Sequence, residues 1–193
     1  MNPRFLKLVP AILTVVCTVL PPACAQETTL RLDPEKTTVR FTVQATLHTV
    51  HGSFRLKKGA IKFDPATGTA SGAVVVDATS GESGNPKRDR NMHRDVLMSE
   101  RYPEITFTPT RVAGAVQPQG ESSVQVEGVL RLQGSDHSIT LPFTVQATGS
   151  ELRATTQFTV PYVAWGLKNP STFFLHVADK VELSIAATIR APR

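Results

Sequence analysis

Apolar residues recur on every second position through most of this chain. The runs are Val39, Phe41, Val43; Phe54, Leu56; Ile61, Phe63; Val74, Val76, Ala78; Ile105, Phe107; Val124, Val126; Leu130, Leu132; Ile139, Leu141, Phe143, Val145; Leu152, Ala154; Phe158, Val160; and Val181, Leu183, Ile185, Ala187, Ile189. A period of two puts these side chains on one face of a pleated strand. The positions between them are mostly Thr, Arg, Lys, Gln, Glu, Ser or Asp, so one face meets an apolar interior and the other meets water. Turn signals punctuate the runs. Asp64-Pro65-Ala66-Thr67-Gly68 supplies proline to fix φ and glycine for a positive φ, and Gln133-Gly134-Ser135-Asp136 and Thr148-Gly149-Ser150 do the same later. Strands at this spacing predict an all-β sandwich or barrel built of antiparallel hairpins.

The direction of the apolar face separates two kinds of barrel. An outer-membrane barrel turns its apolar side outward and carries aromatic girdles. Here aromatics are only 6% of residues, and the polar faces carry full charges such as Arg40, Lys57 and Arg131. The apolar face therefore points inward, as in a water-soluble barrel or sandwich.

One stretch breaks the period, Gly84-Asn85-Pro86-Lys87-Arg88-Asp89-Arg90-Asn91-Met92-His93-Arg94-Asp95-Val96. Asn85 is a good N-cap and Pro86 suits the first helical position, which predicts a helix over about 86–99, stopped before Pro103. Met92 and Val96 are four apart and give it a narrow apolar seam, with Leu97 and Met98 beside them. Such a helix suits the open end of a barrel as a lid. Its charges, Lys87, Arg88, Arg90 and Arg94 with nearby Arg101, alternate with Asp89, Asp95 and Glu100. That mixture reads first as a solvated face, second as contact with an acidic head group or membrane surface, and poorly as a nucleic-acid grip.

The ends bound the compartment. Arg4 and Lys7 precede an apolar run from Leu8 to Leu20 and then the small-residue site Ala23-Cys24-Ala25. Residues 1–25 are thus expected to be a cleaved secretory signal peptide, directing the protein to the periplasm. Anchoring as a lipoprotein through Cys24 is the lesser reading, because Pro21 fits the processing site poorly. The remaining 26–193 suffice for one domain. Both cysteines, Cys17 and Cys24, lie in the leader, so disulfides are not expected. Without Arg4 and Lys7 the formal excess falls from the whole chain's +5 to +3, too little and too dispersed to predict a nucleic-acid partner.

Candidate chemistry is sparse. His48 and His51 are three apart, so on an extended strand they project to opposite faces and do not share a metal. One is expected to face water and the other to line an edge of the interior. No zinc spacing, nucleophile elbow, metalloprotease motif or phosphate loop is present, so neither cofactor nor metal is expected and the protein is read as a non-enzyme. Asp77 and Glu127 are the strand carboxylates to test if it were one. The loop Trp165-Gly166-Leu167-Lys168-Asn169-Pro170-Ser171-Thr172-Phe173-Phe174 holds the only tryptophan. It reads either as a plug of core aromatics or as a rim where an apolar ligand enters.

Several segments together resemble the YceI-like family of exported lipid- and polyisoprenoid-binding proteins. They are Leu32-Asp33-Pro34, Thr38-Val39-Arg40-Phe41-Thr42-Val43, Val50-His51-Gly52-Ser53-Phe54, Ile61-Lys62-Phe63-Asp64-Pro65, Gly84-Asn85-Pro86-Lys87-Arg88-Asp89, Tyr102-Pro103-Glu104-Ile105-Thr106-Phe107 and Ser138-Ile139-Thr140-Leu141-Pro142. The most specific part is N-x-x-R-D before a helix followed by Y-P-x-I-x-F. The resemblance spans roughly Leu30 to Ile189. Glu35-Lys36-Thr37, Leu47-His48-Thr49 and Ala164-Trp165-Gly166-Leu167 depart from the family's usual His-Ser, His-Leu-Gly and Asp-Phe-Gly-Leu. It implies a lipocalin-like eight-stranded antiparallel β-barrel with the helix near one end and an isoprenoid chain inside.

On that fold the interior candidates for lipid contact are Phe41, Val43, Phe54, Phe63, Val74, Val76, Phe107, Leu141, Phe143, Phe158, Trp165, Phe173 and Leu183. The rim or head-group candidates are His51, Lys168 and Asn169, and Met92 and Val96 form the lid seam. The expected function is sequestration or shuttling of a polyisoprenoid or isoprenoid quinone, with transient membrane contact. Whether the chain forms a homodimer is open. The competing expectation is a filled barrel or sandwich acting as a stress-related interaction module without a ligand.

Overall fold

The computed structural model describes residues 27–190 other than Ser150. The leader expected at 1–25, with Cys24, lies outside the described residues. Nine strands make one antiparallel sheet: β1 (Thr28–Leu32), β2 (Thr38–Gln44), β3 (Thr49–Phe63), β4 (Ala70–Glu82), β5 (Glu104–Ala113), β6 (Gly120–Leu132), β7 (Ser135–Thr148), β8 (Glu151–Val160) and β9 (Val181–Arg190). Each strand from β3 to β8 pairs with the next, and β2 closes the ring by pairing with both β3 and β9. Closure removes the edges that an open sheet would leave unpaired.

The ring has eight staves rather than nine because β1 and β2 are two halves of one. β2 faces the first part of β3, with Val39 opposite Phe54, and β1 faces the last part, with Thr28 opposite Phe63. β9 meets both halves in the same way. The interruption is Asp33–Thr37. Asp33 N–H donates to Thr188 O at 3.0 Å, and the buried Thr37 hydroxyl donates back to Asp33 O at 2.7 Å. The backbone thus remains satisfied across the break. Glu35, Lys36 and Thr37 belong to this break, at the side of the barrel.

Two of the predicted turns form, and the third, Thr148-Gly149-Ser150, includes Ser150, which lies outside the described residues. Asp64 Oδ1 accepts from Ala66 N–H at 2.9 Å, and Gly68 takes φ 72° beyond it. Gln133 and Gly134 adopt φ 50° and 77° between paired Leu132 and Ser135, the doubly positive geometry that matches strand twist in a two-residue hairpin.

The helix is shorter than expected and changes its winding. α1 (Pro86–Asn91) is α-helical, and Met92–Leu97 continues it as a π-helix that ends at Met98, with φ 49°. The predicted span to residue 99 is therefore two residues too long, since the left-handed Met98 stops the helix well before Pro103. Asn85 caps as expected, its Oδ1 accepting from Lys87 N–H at 3.1 Å and Arg88 N–H at 3.2 Å.

Two separate groups of buried side chains pack together. Leu130, Leu132, Val160, Tyr162 and Leu167 pack at the helix end, and Val124, Val145, Ala154 and Ile189 toward the other. Between them inward side chains such as Val74, Val76, Phe107, Phe143 and Leu183 are only half-buried. The space they face is the candidate site.

Candidate functional site

A cavity of about 640 Å³ runs through the barrel, within the ~300–1,000 Å³ typical of ligand sites. It reaches from Leu30, Phe63 and Val116 at the turn end to Asn85, Met92 and Thr172 at the helix end. Its wall is apolar along the bore, and the polar side chains among its lining, His48, Ser83, Asn85, Lys87, Arg88, Asn91, Tyr162 and Thr172, all lie at the helix end. Five of them, His48, Asn85, Lys87, Asn91 and Thr172, are also solvent-exposed. The bore therefore opens to water there.

Glycines make room for the aromatic wall. A β-carbon on Gly52 would overlap the Phe41 ring, one on Gly128 would sit 2.7 Å from Phe107, and one on Gly81 would press on Phe54 and on Met92 Cε at 2.9 Å. Phe41 and Phe54 then meet with ring centroids 5.3 Å apart. These rings lie along the wall instead of across the lumen, which leaves the bore open.

The helix end is assembled by the N-x-x-R-D segment. Arg88 Nε donates to Ser83 Oγ and its Nη2 to Ser83 O, both at 2.7 Å. Asp89 Oδ1 accepts from Ser83 N–H at 3.0 Å and from the Ser83 hydroxyl. Asn85, Arg88 and Asp89 thus spend their polar groups folding the chain's exit from β4. Arg88 and Lys87 are the charged residues in the lining, both cationic.

A bulge in β4 receives the helix. Ser53 pairs with Glu82 but Arg55 with Asp77, so Ala78–Gly81 stand opposite the single residue Phe54. His93 Nε2 donates to Gly81 O at 2.8 Å, which leaves Nδ1 to accept from the Ser99 hydroxyl at 3.0 Å. Asp77 organises the bulge itself. Its Oδ1 accepts from Thr79 Oγ1 at 2.6 Å and Thr79 N–H at 2.9 Å. The Thr79 hydroxyl bond holds the Asp77 carboxyl below its ordinary value, helped by the Thr79 N–H and by Arg55 and Lys57. Neither Asp77 nor the exposed Glu127 lines the cavity.

Of the interior candidates, Phe41, Val43, Phe54, Phe63, Val74, Val76, Phe107, Leu141, Phe143, Phe158 and Leu183 line the bore, as do Met92 and Val96. Trp165 and Phe173 do not. Trp165 stacks on His137, centroids 4.0 Å apart and ring planes nearly parallel, and packs against the helix-end cluster. Phe173 projects from its loop and is 95% exposed. The three rim candidates are also displaced. His51 lies on the outer face with Thr42 Oγ1 at 3.1 Å from its Nδ1, while His48 takes the inner side. Lys168 is exposed away from the lining. Asn169 is spent within its loop, donating to Val177 O at 3.2 Å and accepting from Ser171 N–H at 2.8 Å.

The β8–β9 connection completes the helix end: Tyr162, Leu175 and Val177, overlooked in the sequence, line the bore together with Leu167, Pro170 and Thr172 of the loop read as a plug or a rim. Tyr162 donates to Ala178 O at 2.7 Å, and burial, then the Asp179 charge, push its phenol above the ordinary value. No periodic signal marks these residues, although the connection's length and its cluster of aromatics were visible. Among the described residues no three His, Cys, Asp or Glu side chains group as metal ligands, and no helix is long and apolar enough to cross a membrane.

A closed eight-stave antiparallel barrel with an apolar bore and a polar mouth places this protein among lipocalin-like barrels. A model of the YceI-like domain matches residues 30–189. The chain belongs to that family. It is similar to the crystal structure of Burkholderia cenocepacia BcnA, with 21% identity, coverage of 81% of this chain and 98% of that one, and a TM-score of 0.66. It is also similar to a polyisoprenoid-binding domain from Saccharophagus degradans, at 16% identity, 84% and 98% coverage and a TM-score of 0.65. For a Campylobacter jejuni YCEI protein the values are 16%, 74% and 81%, with a TM-score of 0.53. Curated protein sequences give no match.

Proposed function

We propose that this protein is an exported, soluble carrier that holds the tail of a long apolar lipid, a polyisoprenoid or an isoprenoid quinone, along the bore. The observation that carries this reading is the continuous cavity of about 640 Å³, apolar everywhere except at one end. The name of the Saccharophagus degradans domain and the leader-like pattern of residues 1–25 support the ligand class and the export. The tail lies against the phenylalanine-lined wall and the head sits among His48, Lys87 and Asn91.

The energetics suit a carrier. Each buried CH₂ gains about 0.8 kcal/mol relative to water, so a few isoprene units hold the lipid without a charged anchor. A bilayer is as apolar as the bore, so exchange with a membrane is close to balanced. A lumen lined by polar groups only at its mouth supports binding with no chemical step.

The test is lipid extraction from the purified mature protein, with mass spectrometry, before and after incubation with polyprenyl lipids. A bound isoprenoid is expected. Repeated preparations with no bound species would overturn the reading. The hollow bore speaks against the filled-barrel alternative.

A further inference from the structure

Three large apolar side chains at the mouth are left in water. Phe173 and Phe174 are 95% and 87% exposed and Leu47 is 81% exposed, about twice the exposure of Met98 or Val116 at 39% and 41%. They are held there by the backbone. Thr172 N–H donates to Leu175 O at 2.8 Å and Leu175 N–H to Thr172 Oγ1 at 3.3 Å, a tight turn with the two phenylalanines at its tip. Their rings meet edge to face, 5.0 Å apart at 84°. Thr46 N–H donates to His176 O at 2.9 Å and His176 N–H to Thr46 Oγ1 at 3.0 Å, while Ala45 bridges Val177. These bonds tie the loop bearing Leu47 to the phenylalanine turn. Thr172 and Leu175, on either side of the tip, line the bore.

The charged side chains that line the same end, Lys87 and Arg88, are both cationic, and the exposed Arg90 follows them on α1. An apolar tip beside cations at the mouth is an arrangement that enters the interface of an anionic bilayer: the rings bury among head groups and acyl ends while the cations stay with lipid phosphates.

We propose that Phe173, Phe174 and Leu47 insert into an anionic membrane surface and seat the mouth against it. A lipid tail then moves between leaflet and bore without crossing water. This goes beyond the carrier reading, because docking can be measured without cargo.

The experiment is flotation of the mature protein with vesicles of phosphatidylcholine, with and without phosphatidylglycerol, at low and high salt. Binding at least about tenfold stronger to the phosphatidylglycerol vesicles, weakened by salt, is expected. The double variant Phe173→Ser/Phe174→Ser should keep the parent's thermal midpoint, lose about tenfold in vesicle binding, and load isoprenoid normally from detergent but slowly from vesicles. Equal flotation of parent and variant would overturn the proposal, as would no flotation of either. A dimer of the parent that the double variant dissolves would overturn it too, by assigning the tip to a second copy of the chain. Failure to load from detergent would instead sink the carrier reading and leave the flotation result standing.

Discussion

Phe41 lies across Gly52, its cross-strand partner, so closely that any β-carbon at Gly52 would enter the ring. The pair shows how the bore is kept open: the glycine lowers one wall so that the opposing ring folds flat. Gly52→Ala should push Phe41 into the lumen or strain the Glu82 carbonyl that also crowds the site. A loss of about 1–3 kcal/mol in denaturant titration is expected, as for overpacked interiors. An unchanged midpoint would show that the ring has room to move.

The hollow interior predicts tolerance where a filled core would not give it. Val74 and Phe107 are cross-strand partners, both only half-buried, and both line the cavity. Val74→Trp should therefore cost less than about 1 kcal/mol, where a packed interior would lose about 1–3 kcal/mol. The same variant should cut uptake of added polyprenyl lipid at least about tenfold by obstructing the bore, an effect worth only about 1.4 kcal/mol of binding. Thermal melting and lipid loading measured together separate a hollow barrel from a filled one.

Asn85 accepts the two N–H groups that begin α1, and the helix carries part of the mouth. Asn85→Ala should cost about 1 kcal/mol, as for other lost caps, and raise amide hydrogen exchange in residues 86–97 more than in the strands. Uniform exchange across the chain would mean that the helix opens only with the whole barrel.

Asp77 gives the barrel an acid-sensitive joint. Its folded pKa lies below the ordinary 3.8, first because of the Thr79 hydroxyl bond. A carboxyl with a depressed folded value stabilises the fold above its unfolded value, and that contribution is lost as pH falls through the folded value. Asp77→Asn should thus lower the denaturation midpoint at pH 7 and converge with the parent well below pH ~3.8. A constant difference between the two proteins across that range would exclude this linkage.

Tyr162 closes the helix-end cluster and donates to Ala178 O. Tyr162→Phe should cost about 1 kcal/mol, the usual net worth of a hydrogen bond whose acceptor loses its partner. The parent should also lose stability on raising pH through the elevated phenol value, since the neutral form is the one favoured in the fold. Urea titration of both proteins through alkaline pH checks this, and the variant should lack that component.

Much of the site was legible where the period of two ran unbroken. Inward phenylalanines and valines from β2 to β9 could be assigned to the bore because alternate residues must share a face. The same rule would have placed the histidines: Val50, Gly52 and Phe54 share a face, which leaves His51 outside and His48 within. Trp165 and Phe173 were not legible in this way. They sit in a connection with no period, where burial depends on which other loop lies alongside.

The sequence by itself determined strands β2 to β9, their inward faces, the turns and the capped helix, because these rest on local geometry and on the two-residue repeat. Tertiary structure alone decided that the first stave is two strands joined across Asp33–Thr37, since only closure brings β1 and β2 between the same neighbours. It also decided that β4 bulges to receive a π-wound turn, and that Phe173, Phe174 and Leu47 stand together at the mouth. Those features depend on contacts between residues far apart in the chain, and no local pattern encodes them.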